Sequence, residues 1–99
     1  MKKTVLILAA TVLSAVAMAA DQVIMAKYNK TCVVCHASGA ANAPKTGAVA
    51  DWTPRMEKGM DVLVASVTTG MKAMPPKGLC YDCSTEDYTA LIQYMAAPK

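Results

Sequence analysis

Phenylalanine is missing from this chain, and only one tryptophan and four tyrosines stand in for it. So few large aromatic side chains give a weak core, and a domain this short rarely supplies enough apolar burial by itself. The shortage points to a bound apolar group that fills the interior. Histidine occurs once, at His36, so no site here can rest on two imidazoles. Alternating polar and apolar runs of the kind strands need are absent, as are internal repeats, and the class expected is all-α. An excess of basic charge is missing as well. Removing Lys2 and Lys3 from the ten basic residues leaves eight against seven acidic ones, which is no footprint for nucleic acid.

The first residues differ from the rest. Lys2 and Lys3 form a basic start, and an apolar run from Val5 to Met18 is broken only by Thr11 and Ser14. It closes on Ala17-Met18-Ala19, the small-x-small pattern of a cleavable secretory signal. The run is shorter than the roughly 20 apolar residues of a spanning helix. We therefore expect a signal peptide over 1–19, cleaved near Ala19 or Ala20, and a single domain over 20–99 with no transmembrane anchor after cleavage. Export places the protein in the periplasm. All four cysteines lie in the exported part, where an oxidising environment leaves thiols paired or chemically occupied.

Asp21 is the expected cap of a first helix that runs to about His36, with Ile24, Tyr28, Cys32 and Cys35 on one face. The Ala- and Gly-rich stretch 37–51 reads as a loop. A short helix is expected from Thr53, with Pro54 in its first turn, to about Gly59. Another covers Met60 to Thr69 and stops at Gly70. Pro75-Pro76 keeps the next segment out of a helix. Ser84 with Asp87 three residues on forms a capping-box pattern. Behind it, Tyr88, Leu91, Ile92 and Met95 make an apolar stripe at helical spacing, and Pro98 ends the helix.

Cys32-Val33-Val34-Cys35-His36 is C-x-x-C-H, the pattern of covalent haem attachment. One turn of helix brings two thiols to one side, where they can bond two vinyl groups of a single haem, and the adjacent imidazole can reach the iron. A disulfide beside a surface histidine, a thiol redox pair and a zinc site are the other readings of the same residues. Zinc would need a distant fourth ligand. Haem iron held by His36 needs a second axial ligand, and with no other histidine that ligand is a methionine. Met25, Met56, Met60, Met71, Met74 and Met95 are available after export. Met74 stands out because Pro75-Pro76 stiffens the chain behind it, and Met71 is its rival. Cys80 and Cys83 repeat C-x-x-C without a following histidine. A second haem attachment and zinc both lack ligands there, which leaves a structural disulfide or, less well matched to an all-α chain, a thiol-exchange pair.

With these residues in view, the chain resembles the class I c-type cytochromes, and within them the small bacterial cytochrome c5 type. The resemblance runs from Tyr28 to Met95 through "CVVCH", "NAPKTG", "WTPR", "AMPPKG" and "CYDC". It implies three to four helices wrapped around one covalent haem c, bound by Cys32 and Cys35 and ligated by His36 and Met74. It implies that the Pro44 carbonyl accepts the free N–H of His36, that Trp52 and Arg55 sit by the haem propionates, and that Cys80 and Cys83 form a disulfide. The family has a glycine where the first and last helices cross. Here that region reads Val23-Ile24-Met25-Ala26, so either Ala26 serves as the small residue or the helices cross further apart. The function implied is a monohaem electron carrier between respiratory redox partners, not an enzyme. The alternative is a haem subunit docked in a larger dehydrogenase or oxidase. Lys45, Lys72 and Lys77 fall in the loops expected around the haem edge, while Asp82, Glu86 and Asp87 group further on. Such asymmetry suits an acidic partner.

Overall fold

A computed structural model describes residues 19–99, so the signal sequence expected over 1–19 lies outside the described residues but for Ala19. Four helices carry the fold. Helix α1 covers residues 19–36 and contains a π-helical turn, Tyr28–Cys32, before its last turn, Val33–His36. Helix α2 is Val49–Met56, α3 is Met60–Thr69 and α4 is Thr85–Ala96. Short 3-10 turns at Ala40–Asn42 and Pro76–Leu79 shape the two long loops. No strand occurs among the described residues, which agrees with the all-α expectation. None of the described helices is long and apolar enough to cross a membrane.

The last helix forms as its sequence dictates. Ser84 Oγ accepts from the Asp87 amide at 3.1 Å, and the Asp87 carboxylate accepts from the Ser84 amide at 2.9 Å. Two otherwise unpaired donors at the helix start are thereby satisfied. The stripe Tyr88, Leu91, Ile92 and Met95 is buried, each side chain contributing about 1.5–3 kcal/mol by leaving water. Ala97 turns extended, because the residue before a proline is crowded out of the helical region.

These four join Tyr28, Trp52 and Cys80 in one core, lined further by Ile24, Met25, Cys32, Val33, Met60, Leu63, Val64 and Val67. The first and last helices meet through Tyr28 and Tyr94, edge to face with centroids 5.0 Å apart. Ala26 is exposed and takes no part in that meeting. Aromatic rings, not a small residue, set the approach of the two helices. The Tyr28 hydroxyl donates to Thr46 Oγ1 at 2.9 Å, which ties α1 to the loop before α2.

Three further expectations are corrected. The chain is already helical at residue 19, so Asp21 lies within α1 and does not cap it. The π-helical turn widens α1 by one residue and shifts the phase of the face that follows. Cys32 and Val33 therefore stay against the core while Cys35 is exposed. Helix α2 starts four residues earlier than expected and holds Pro54 in its interior. The proline deprives the Ala50 carbonyl of its helical donor. Neighbouring side chains cover the carbonyls on either side: Thr53 Oγ1 donates to Val49 O and Arg55 Nη1 to Asp51 O.

Candidate functional site

The last turn of α1 presents the C-x-x-C-H residues. His36 is only 7% exposed. Its Nδ1 lies 2.8 Å from the carbonyl oxygen of Pro44. A carbonyl can only accept, so Nδ1 carries the proton and Nε2 keeps its lone pair for another partner. No hydrogen bond to Nε2 is found among the described residues. The next segment secures the backbone as well, the Thr46 amide donating to His36 O at 2.7 Å. Neither Cys32 nor Cys35 is in a disulfide; the first is half-buried and the second exposed. Burial pushes the Cys32 thiol pKa up, against a smaller opposing effect of the Thr31 hydroxyl.

This donor set fits a covalent haem. Two unpaired thiols on neighbouring turns stand beside a buried imidazole whose tautomer is fixed with one ring nitrogen available. The same three residues make a poor zinc site, because no fourth ligand joins them among the described residues. The one cluster of metal-ligand type among the described residues is Cys80, Asp82 and Cys83, in the other C-x-x-C. There the two Cα atoms are 5.4 Å apart and the sulfurs lie within bonding reach, the separation a disulfide requires.

Trp52 lies beside His36. Its ring is 5% exposed and stacks on His36, with centroids 5.9 Å apart and planes inclined by 28°. Its indole N–H donates to Lys45 O at 3.0 Å. That is the only donor the side chain has, and the Lys45 carbonyl occupies it. Arg55, half-buried, lines a polar hollow with Asn42, Pro44, Lys45 and Asp51, on the same side as the His36–Pro44 bond.

The six methionines separate by environment. Met25 and Met60 pack against the core and Met95 is within it, which is the ordinary use of a flexible thioether. Met56 sits on the exposed surface of α2, and Met71 is 47% exposed. Met74 is half-buried. Met71 and Met74 exchange both backbone bonds, N to O at 3.0 and 2.9 Å, which closes the tight loop between them. Gly70 is required at the base of this loop. Its φ is +85°, and a Cβ there would lie 2.9 Å from Pro76 N and 3.1 Å from Met74 O. Lys72, Lys77 and Leu79 also adopt left-handed φ of 53°, 62° and 64°, conformations that cost side-chain-bearing residues energy. The Pro76–Leu79 turn packs on α3 and on the Tyr28–Cys32 turn, so the loop bearing Met74 returns to the segment that carries Cys32. The sequence carried no sign of the Met71–Met74 backbone pair, because no side-chain pattern encodes it.

The chain is similar to known proteins in sequence and in fold. Residues 19–95 match the family described as cytochrome c oxidase, cbb3-type, subunit III. Cytochrome c5 of Azotobacter vinelandii is 44% identical over 75 residues, covering 74% of this chain and 87% of that protein. A mono-haem ferrocytochrome c from Shewanella putrefaciens has a similar structure, with a TM-score of 0.69 and 55% identity over 77% of this chain and 94% of that one. A cytochrome c in an electron transfer complex with nitrite reductase superposes with a TM-score of 0.64 and 45% identity, covering 70% and 84%. The chain belongs to the class I c-type cytochromes, in the small group close to cytochrome c5, and is an electron carrier with one covalent haem c, not an enzyme.

Proposed function

We propose that this chain is a periplasmic shuttle for single electrons, with thioether bonds at Cys32 and Cys35 and axial ligation by His36 and Met74. The observation that carries the assignment is the His36–Pro44 hydrogen bond within C-x-x-C-H. It fixes the ring's tautomer and orientation and raises the basicity of the opposite nitrogen. The haem supplies one-electron chemistry between ferric and ferrous iron. The protein's own residues hold that chemistry still. Pro44 aims the imidazole, Trp52 backs its ring, and the Met71–Met74 backbone pair with Pro75-Pro76 holds the thioether loop. Arg55 is the charged side chain left to meet a propionate. With His36 and Met74 both bound to iron, no coordination position would stay open for a substrate.

Export through residues 1–19 is supported by Lys2, Lys3, the apolar run and Ala17-Met18-Ala19. A disulfide between Cys80 and Cys83 is supported by their spacing in the structure and suits that compartment. The partners are redox proteins, soluble or membrane-bound, such as the nitrite reductase paired with the related cytochrome c. A haem subunit docked in a larger oxidase is the second reading, favoured by the description of the matched family. Two measurements on the periplasmic fraction test the shuttle. Rapid reduction and reoxidation by redox proteins, with elution at the size of a single chain, is the expected result. Robust peroxidase turnover by the intact protein would contradict the carrier, and elution only within a large complex would favour the docked subunit.

A further inference from the structure

We infer that Trp52 and Asp51 are positioning residues for His36, acting through the Lys45 peptide. The inference rests on His36 as the haem-iron ligand. The imidazole is aimed by a single backbone carbonyl, that of Pro44, 2.8 Å from Nδ1. Pro44 lies outside any helix or strand that could hold it. What holds it is the next residue. Lys45 O accepts from the Trp52 indole at 3.0 Å, and the Lys45 amide donates to Asp51 Oδ2 at 3.2 Å. Both polar groups of the Lys45 backbone are thus bound by adjacent side chains of α2, and the carbonyl also accepts from the Ala48 amide at 3.0 Å. One residue further, Thr46 returns its amide to His36 O.

The result is a closed ring of contacts: His36 to Pro44, Lys45 to Trp52, and Trp52 back onto the His36 imidazole by stacking. Trp52 enters it twice, through its ring and through its N–H. The ring excludes water from one side of the imidazole, and the N–H holds the Lys45 carbonyl, one peptide beyond that of Pro44, whose N–H is held by Asp51. Helix α2 therefore controls the strength of the Nδ1–H···O bond without touching Nδ1. A stronger bond makes the imidazole a better electron donor and favours ferric iron, so a loosened bond raises the reduction potential.

The haem-loaded protein with Trp52→Phe separates the two roles, because phenylalanine keeps a ring against His36 and removes the indole N–H. NMR of the ferrous protein reads exchange of the His36 Nδ1 proton with solvent, and voltammetry reads the potential. Exchange is expected to quicken by about fivefold, the factor that loss of one hydrogen bond of about 1 kcal/mol produces, and the potential to rise. Asp51→Ala, which touches neither ring, is expected to move both readouts in the same direction, and Asp51→Asn, which keeps an acceptor, to restore them. Unchanged exchange and potential in both Trp52→Phe and Asp51→Ala would overturn the inference while leaving His36 as ligand. An optical spectrum of the parent protein that lacks histidine-ligated haem would overturn both.

Discussion

Lys27 near the middle of the first helix and Asp87 in the first turn of the last are joined by an ion pair, Nζ to Oδ2 at 2.5 Å. The same ammonium donates to the Asp82 carbonyl at 3.0 Å. Asp87 thus serves two structures at once, the capping box of α4 and the bridge to α1. The Lys27 ammonium first, and the Ser84 amide after it, hold the Asp87 carboxyl below its ordinary pKa, while the carboxylate raises that of Lys27.

A depressed carboxyl pKa stabilises the fold above the unfolded-state value of about 3.9. That stability is lost as pH falls through the lower folded-state value. Urea unfolding of the parent protein is expected to weaken from about pH 4 downward. Asp87→Asn keeps an oxygen for the cap but has no charge to lose, so its stability is expected to depend less on pH over that range. An identical pH dependence would show that the pair contributes nothing.

The two candidate thioethers are distinguished by substitution. The ferric protein is expected to show the weak long-wavelength band of sulfur-to-iron charge transfer. Met74→Ala is expected to abolish it and lower the reduction potential, since a methionine ligand raises that potential. Met71→Ala is expected to leave the band in place, Met71 being 47% exposed. The reverse pattern would make Met71 the ligand.

The Cys80–Cys83 turn is held by more than sulfur. The Tyr88 hydroxyl donates to Cys80 O at 3.0 Å, and Lys27 holds Asp82 O from the other side. Unreduced protein is expected to resist alkylation at both cysteines. Replacing both by serine is expected to cost about 2 kcal/mol, the value for so small a closed loop, with the ferric optical spectrum retained. Free alkylation of the native protein would contradict a disulfide.

Lys72 and Lys77 are exposed on the loop that carries Met74. Reversing either charge to glutamate is expected to slow association with an acidic redox partner severalfold at low salt. The difference is expected to vanish near 1 M salt, where the Debye length is about 3 Å. Stopped-flow rates that ignore both charge and salt would remove these lysines from docking.

The parts of the fold legible in the sequence are those written in side-chain chemistry at short range. Ser84 and Asp87 announced their cap, and the stripe from Tyr88 to Met95 is the buried one. The start of α2 was hidden because the Ala-Gly run before Thr53 resembles a loop, and Pro54 resembles a helix start. Helix there gains from burying Trp52, a tertiary contact that local propensity does not report. The π-helical turn escaped notice for a similar reason, since a one-residue change of phase leaves the apolar pattern intact on either side. For the site, C-x-x-C-H named the chemistry. The partner of the Trp52 N–H could not be read, because it depends on which backbone carbonyl the folded loop brings near.

The central claim is that Cys32 and Cys35 carry the haem. Purified native protein treated with acidified acetone and then digested tests it most directly. The account predicts that the solvent stays colourless and that the peptide containing Cys32 to His36 carries the mass of one haem, with Cys80 and Cys83 unmodified by it. Free haem in the solvent, or haem on any other peptide, would contradict it.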